Sequence, residues 1–124
     1  PGARLLVITT SHPQLRAQVD LALFPGLAAL ERARIPPVRR IKRLFESEGF
    51  ELYSTGEFAT TFRADSADAL VDWVKRKPWS TYQLLSGEDF ARGLKGFRAN
   101  LRRVFGSGEI AYLVPQTLMF FRKL

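Results

Sequence analysis

The chain opens Pro1-Gly2-Ala3-Arg4-Leu5-Leu6-Val7-Ile8-Thr9-Thr10, a turn followed by an unbroken apolar run. A run of this kind with β-branched residues in it predicts a strand buried on both faces, the sort found inside a parallel sheet. Such a strand needs a neighbour on either side, yet no residue precedes the run to pair with it. The expectation is a chain that forms the latter part of a larger unit, with one strand edge left open. Met119 is the only methionine, which adds to the expectation of a fragment or a processed product.

Composition excludes several chemistries. Cysteine is absent, so there are no disulfides and no thiolate metal sites. His12 is the sole histidine, so no multi-histidine metal site can form, and a Ser-His-Asp triad would have to use it. No apolar run approaches the roughly 18–20 residues that cross a bilayer, and no secretory signal pattern is present. A hydrophobic content of 46% supports a core rather than disorder. The net charge of +7 raises the question of an anionic partner. Basic residues cluster at Arg32, Arg34, Arg39, Arg40, Lys42 and Arg43, and again at Arg92, Lys95, Arg98, Arg102 and Arg103. Their spacing suits the solvated faces of two amphipathic helices, and no nucleic-acid motif accompanies them.

Along the chain, Ser11-His12-Pro13 reads as a loop entering a helix whose face is Leu15, Val19 and Leu23, broken at Pro25-Gly26. Residues 27–35 admit a short helix or an irregular connection. Pro36-Pro37 opens a clearer helix with Val38, Ile41, Leu44 and Phe45 inward, closed by Gly49 in a left-handed conformation with Phe50 folded back on it. Phe50, Leu52, Gly56, Phe58, Thr60 and Phe62 then alternate as a strand, with Gly56 marking a bulge or a close approach. Asp65 or Ser66 caps a helix with Leu70, Trp73 and Val74 on its stripe. Ser86 caps a long one carrying Phe90, Leu94, Phe97, Leu101 and Val104. Residues 109–124 read as a last strand interrupted near Pro115. The whole is one α/β domain over residues 1–124.

In this order, three pieces resemble the C-terminal half of a class I S-adenosylmethionine-dependent methyltransferase of the small-molecule, trans-aconitate-like type. "PGARLLVITT" looks like the family's Pro-Gly turn and fifth strand. "IKRLFESEGFELYSTGEF" looks like the helix and Gly-Phe junction before the sixth. "GEIAYLVPQTLMFFRKL" looks like the seventh, with its aromatic-basic end. The resemblance implies the C-terminal part of a Rossmann-like sheet, one parallel strand plus an antiparallel strand pair in the order five, seven, six. Residues 63–108 would then be a helical insert covering the substrate. S-adenosylmethionine would serve the intact enzyme and would not bind here, because no Gly-rich turn follows a strand.

Candidate site residues follow from position and chemistry. Ser11 and His12 come after the carboxyl end of a strand, where open α/β sheets place ligands. His12 is open to two readings, a proton acceptor for a methyl acceptor or a loop and capping residue. The absence of a visible partner carboxylate favours the second. Trp79, Ser80 and Tyr82 combine flat apolar surface with hydroxyls, as a pocket lid does, or else anchor the insert. Tyr112 on the last strand and Arg16, a carboxylate binder if not plain surface, complete the substrate-binding set. The leading expectation is the substrate-binding part of a cytoplasmic methyltransferase, inactive alone. It would pair through its first strand with a missing N-terminal half or with a second copy. The alternatives are a small basic module for an acidic ligand or RNA and, more weakly, a structural assembly domain.

Overall fold

The computed structural model describes residues 1–124 throughout. Strand β1 (Arg4–Thr9) leads into short helices α1 (His12–Leu15) and α2 (Val19–Ala22), then α3 (Leu27–Arg34) and α4 (Val38–Ser47). A long strand β2 (Phe50–Ala64) follows, then α5 (Ala67–Val74), a 3₁₀ turn (Ser80–Leu84), α6 (Gly87–Phe105) and the final strand β3 (Ile110–Lys123). The sheet is three-stranded in the order β1-β3-β2, so the last strand lies between the other two.

That order matches the expected five, seven, six, but the pairing differs from the description of one parallel strand beside an antiparallel pair. Both contacts are antiparallel, Leu6 opposite Phe120 and Phe62 opposite Tyr112. β1 and β2 run in the same direction without touching, because β3 separates them. β1 is also not buried on both faces. Leu5 and Val7 are half-buried, whereas Leu6 is 48% and Ile8 53% exposed. The apolar run has the composition of a doubly covered strand and, in this chain, cover on one side.

The burial pattern of β3 shows why. At its N-terminal end Ile110 and Tyr112 are buried in a core formed with α2, α3, α5, α6 and the 3₁₀ turn. At its C-terminal end the opposite parity is buried, Met119 and Phe121 packing with Ile41 of α4. Alternate residues of a strand point to opposite faces, so the long antiparallel β2–β3 pair carries two cores, one on each face. The half-face between them, Leu6, Ile8, Leu118, Phe120, Tyr53 and Phe58, has no helix over it. Arg4 and Arg122 close one end of it by standing over the Tyr53 ring.

Local chemistry explains the elements. Ser11 caps α1 in a reciprocal capping box with Gln14. Ser66 and Ser86 cap α5 and α6 by accepting from Ala69 and Asp89. Gly49 takes φ +83° after α4, and Phe50 packs edge-on against Phe45 as expected. Phe24 seats against α6 at Gly93, where a Cβ would come within 2.2 Å of its ring.

Several expectations are corrected. The single helix read over Leu15 to Leu23 is two turns, α1 and α2, because the chain extends at Gln18 and brings Gln18 and Asp20 inward. The β2 irregularity falls between Leu52 and Ser54 rather than at Gly56, where a Cβ would meet only ordinary contact with Leu118. β3 is not interrupted at Pro115, which pairs opposite Ala59. β1 reaches only as far as Thr117, so Pro115 sits where β3 has one neighbour and needs no second ladder donor. Val104 is exposed at 56%, and Phe105 packs against the core in its place.

Candidate functional site

The reversal of burial along β3 leaves a cleft at the border between the helix-covered and bare halves of one sheet face. It has a volume of about 220 Å³ and lies at the carboxyl end of β1. Thr10 contributes from that strand end, Val114 and Gln116 from β3, and Leu15, Gln18 and Leu21 from the α1–α2 segment. Glu31 and Ile35 line it from α3, with Trp79, Ser80 and Thr81 as its lid.

The lid is held at two points. On one side Arg34 donates from Nη1 to Thr81 Oγ1 and from Nη2 to Ser80 Oγ, each at 2.7 Å. On the other, the Trp79 indole Nε1–H donates to Asp20 Oδ2 at 2.5 Å. Asp20 is 1% exposed and is the centre of a polar network. Tyr112 donates its hydroxyl to Oδ1 at 3.2 Å, and Tyr82 donates to the Asp20 backbone carbonyl at 2.9 Å. Burial pushes the Asp20 carboxyl above its usual range, and the bonds from Trp79 and Tyr112 pull it back. Burial, reinforced by the Asp20 charge, raises both tyrosines. They therefore remain protonated donors at neutral pH and do not act as bases.

The expected site residues separate into groups. Trp79 and Ser80 line the cleft. Tyr82 and Tyr112 stand behind it and bind Asp20, beyond reach of a ligand in the opening. Ser11 is the N-cap of α1 and borders a separate open groove with Glu57 and Thr117. His12 donates from Nε2 to the Ile35 carbonyl at 2.7 Å, which ties α1 to the end of α3. Arg16 is exposed and makes no ion pair.

Sequence reasoning missed Asp20, Glu31, Gln18 and the role of Arg34. The signal for Asp20 was a lone acid inside Val19-Asp20-Leu21, flanked by apolar residues. For Arg34 none existed, since it reads as one more member of a basic cluster. The second cluster is largely internally paired, with Arg92 on Asp89 at 2.6 Å, and Arg98 and Arg102 on Asp68 at 3.4 and 3.3 Å.

No group of three or more His, Asp or Glu side chains stands where it could hold a metal ion. No helix is long and apolar enough to cross a membrane. The glycines lie within helices or β2, before β1, or in turns after helices; none follows the carboxyl end of a strand.

No family model matches the chain, and no curated protein is similar to it. Among solved structures it is similar to the crystal structure of a candidate methyltransferase from Bacillus halodurans. The two are 20% identical with a TM-score of 0.47, over 98% of this chain and 56% of that one. The chain thus spans little more than half the length of that protein.

Proposed function

We propose that residues 1–124 form the acceptor-binding, C-terminal portion of a cytoplasmic S-adenosylmethionine-dependent methyltransferase acting on a small molecule. The observation that carries this reading is the position of the cleft. It opens at the carboxyl end of β1, where α/β sheets bind ligands, under a lid drawn from the segment between β2 and β3. It also borders the bare half of the sheet.

On this reading the bare face and the free edge of β1 are where a cofactor-binding half packs, or a second copy of the chain. An apolar edge strand left open invites such pairing. On the same reading the other half holds the cofactor and supplies the methyl group, since no glycine-rich turn follows a strand here. This chain's contribution is alignment, to which reactions of this kind owe much of their rate. Trp79 and the aliphatic wall exclude water, while Thr81, Ser80 and Gln116 orient the acceptor. His12, which bonds the Ile35 carbonyl, holds α1 against the end of α3 beside the cleft.

The test extends the polypeptide upstream of Pro1 along its own coding sequence. The extended protein is then incubated with methyl-labelled S-adenosylmethionine and a panel of small alcohols, acids and amines. Label is expected in one class of acceptor. Absence of both cofactor binding and transfer would reject the reading.

A further inference from the structure

The cleft contains a carboxylate oxygen whose hydrogen-bonding capacity its walls leave unfilled. Glu31 Oε2 is enclosed and accepts no hydrogen bond. The nearest cation, Arg34 Nη1, stands 3.5 Å away, beyond the usual range for an N–H···O bond. Its guanidinium is committed to Thr81 and Ser80 at 2.7 Å. An enclosed acceptor left unpaired is costly, more so when charged. Around it the walls are mixed: Leu15, Leu21, Ile35, Val114 and the Trp79 indole form an apolar part, and the other polar lining groups, all hydroxyls and amides, are neutral.

We propose that this cleft binds a small organic ammonium ion. Its N–H groups donate to Glu31, and its apolar body lies between the Trp79 ring and the aliphatic wall. The proposal rests on the acceptor-site reading above and names the acceptor class as an amine. Donor capacity and charge together decide the class. Arg34 balances the Glu31 charge across 3.5 Å but aims its N–H groups at the lid hydroxyls. An anion has no donor for the open carboxylate oxygen, whereas an ammonium ion donates to it and gains the indole face as well. Size bounds the ligand. A cavity of about 150 Å³ accommodates benzene, so this one, at about 220 Å³, suits a molecule of on the order of ten non-hydrogen atoms. An amine differs in charge from the tricarboxylate type of acceptor that the sequence resemblance implies.

The test titrates the protein with phenethylamine, 2-phenylethanol and phenylacetate, three ligands of similar size and different charge. The Trp79 indole N–H is followed by NMR, with Trp73 as an internal reference. The amine is expected to shift the Trp79 signal with affinity at least about tenfold above the alcohol, and phenylacetate to leave it unmoved. Glu31→Gln should lower amine affinity by about tenfold and leave the alcohol unchanged. Equal affinity for amine and alcohol, preference for the acid, or amine binding undiminished by Glu31→Gln would overturn the proposal. The three-ligand comparison on the unaltered protein decides between the charge classes even if the variant folds poorly. Its failure is separable from failure of the methyltransferase reading. A protein that methylates an acid or alcohol refutes only the amine class, whereas amine binding without cofactor binding by the extended polypeptide refutes only the methyltransferase.

Discussion

The Trp79 indole donates to the carboxylate of Asp20 across 59 positions of sequence, and this bond at 2.5 Å fixes the lid to the floor of the cleft. Because burial raises the Asp20 pKa above 3.8, the folded chain holds this proton more tightly than the unfolded one. The stabilisation it contributes is full below the unfolded value and is lost as pH rises through the folded one. Trp79→Phe removes a bond to the ionised form and raises the folded pKa further. Urea unfolding should show the variant less stable than the parent by about 1.5 kcal/mol at pH 7, with the difference shrinking as pH falls through the raised folded-state values of the two proteins. A difference independent of pH would contradict this account of Asp20.

Gly93 meets the Phe24 ring so closely that a methyl group cannot be added without moving the ring or helix α6. Gly93→Ala should cost about 3 kcal/mol in denaturant unfolding, at the upper end for overpacking. Combining it with Phe24→Leu should cost less than the sum of the two single changes by about 1 kcal/mol, because the shorter side chain yields the space. Strict additivity would show that the close approach is not what limits this site.

Arg34 holds the lid through Ser80 and Thr81, while the backbone bonds from Tyr82 to Trp79 and from Leu85 to Tyr82 depend on the lid staying closed. Arg34→Met should lower global stability by about 1 kcal/mol, since it removes the bonds to the lid and the partner of Glu31. Amide exchange at Tyr82 and Leu85 should rise by about tenfold, reporting local opening. Unchanged exchange would mean that the Asp20 network alone holds the lid.

The elements legible in the sequence were those with local causes. Ser66, Ser86 and Gly49 mark helix ends through side-chain caps or a left-handed backbone, and each stands where the pattern placed it. The strand order β1-β3-β2 was legible only through resemblance, since periodicity says nothing about which strands are neighbours. The exposed face of β1 was not legible, because Leu5, Leu6, Val7 and Ile8 read alike whether one side is covered or both. The parity switch in β3 depends on which helices return to which face, a long-range matter. Trp79 and Ser80, singled out in the sequence for their aromatic and hydroxyl character, line the cleft. Asp20 and Arg34 were missed because their partners lie far away in sequence.

The free edge of β1 and the exposed Leu6 and Ile8 beside it make a definite expectation for association. Sedimentation of the chain at high concentration should show a dimer, and Ile8→Lys should shift it toward monomer without loss of helical signal. A dispersed monomer under those conditions would contradict pairing through this strand.

The assignment of residues 1–124 as the acceptor half of a methyltransferase is tested most directly by calorimetry with S-adenosylmethionine on two proteins, this chain alone and the polypeptide extended upstream of Pro1. The account predicts no heat of binding to the 124-residue chain and saturable binding to the extended one. Binding to the short chain, or none to the long one, would contradict it.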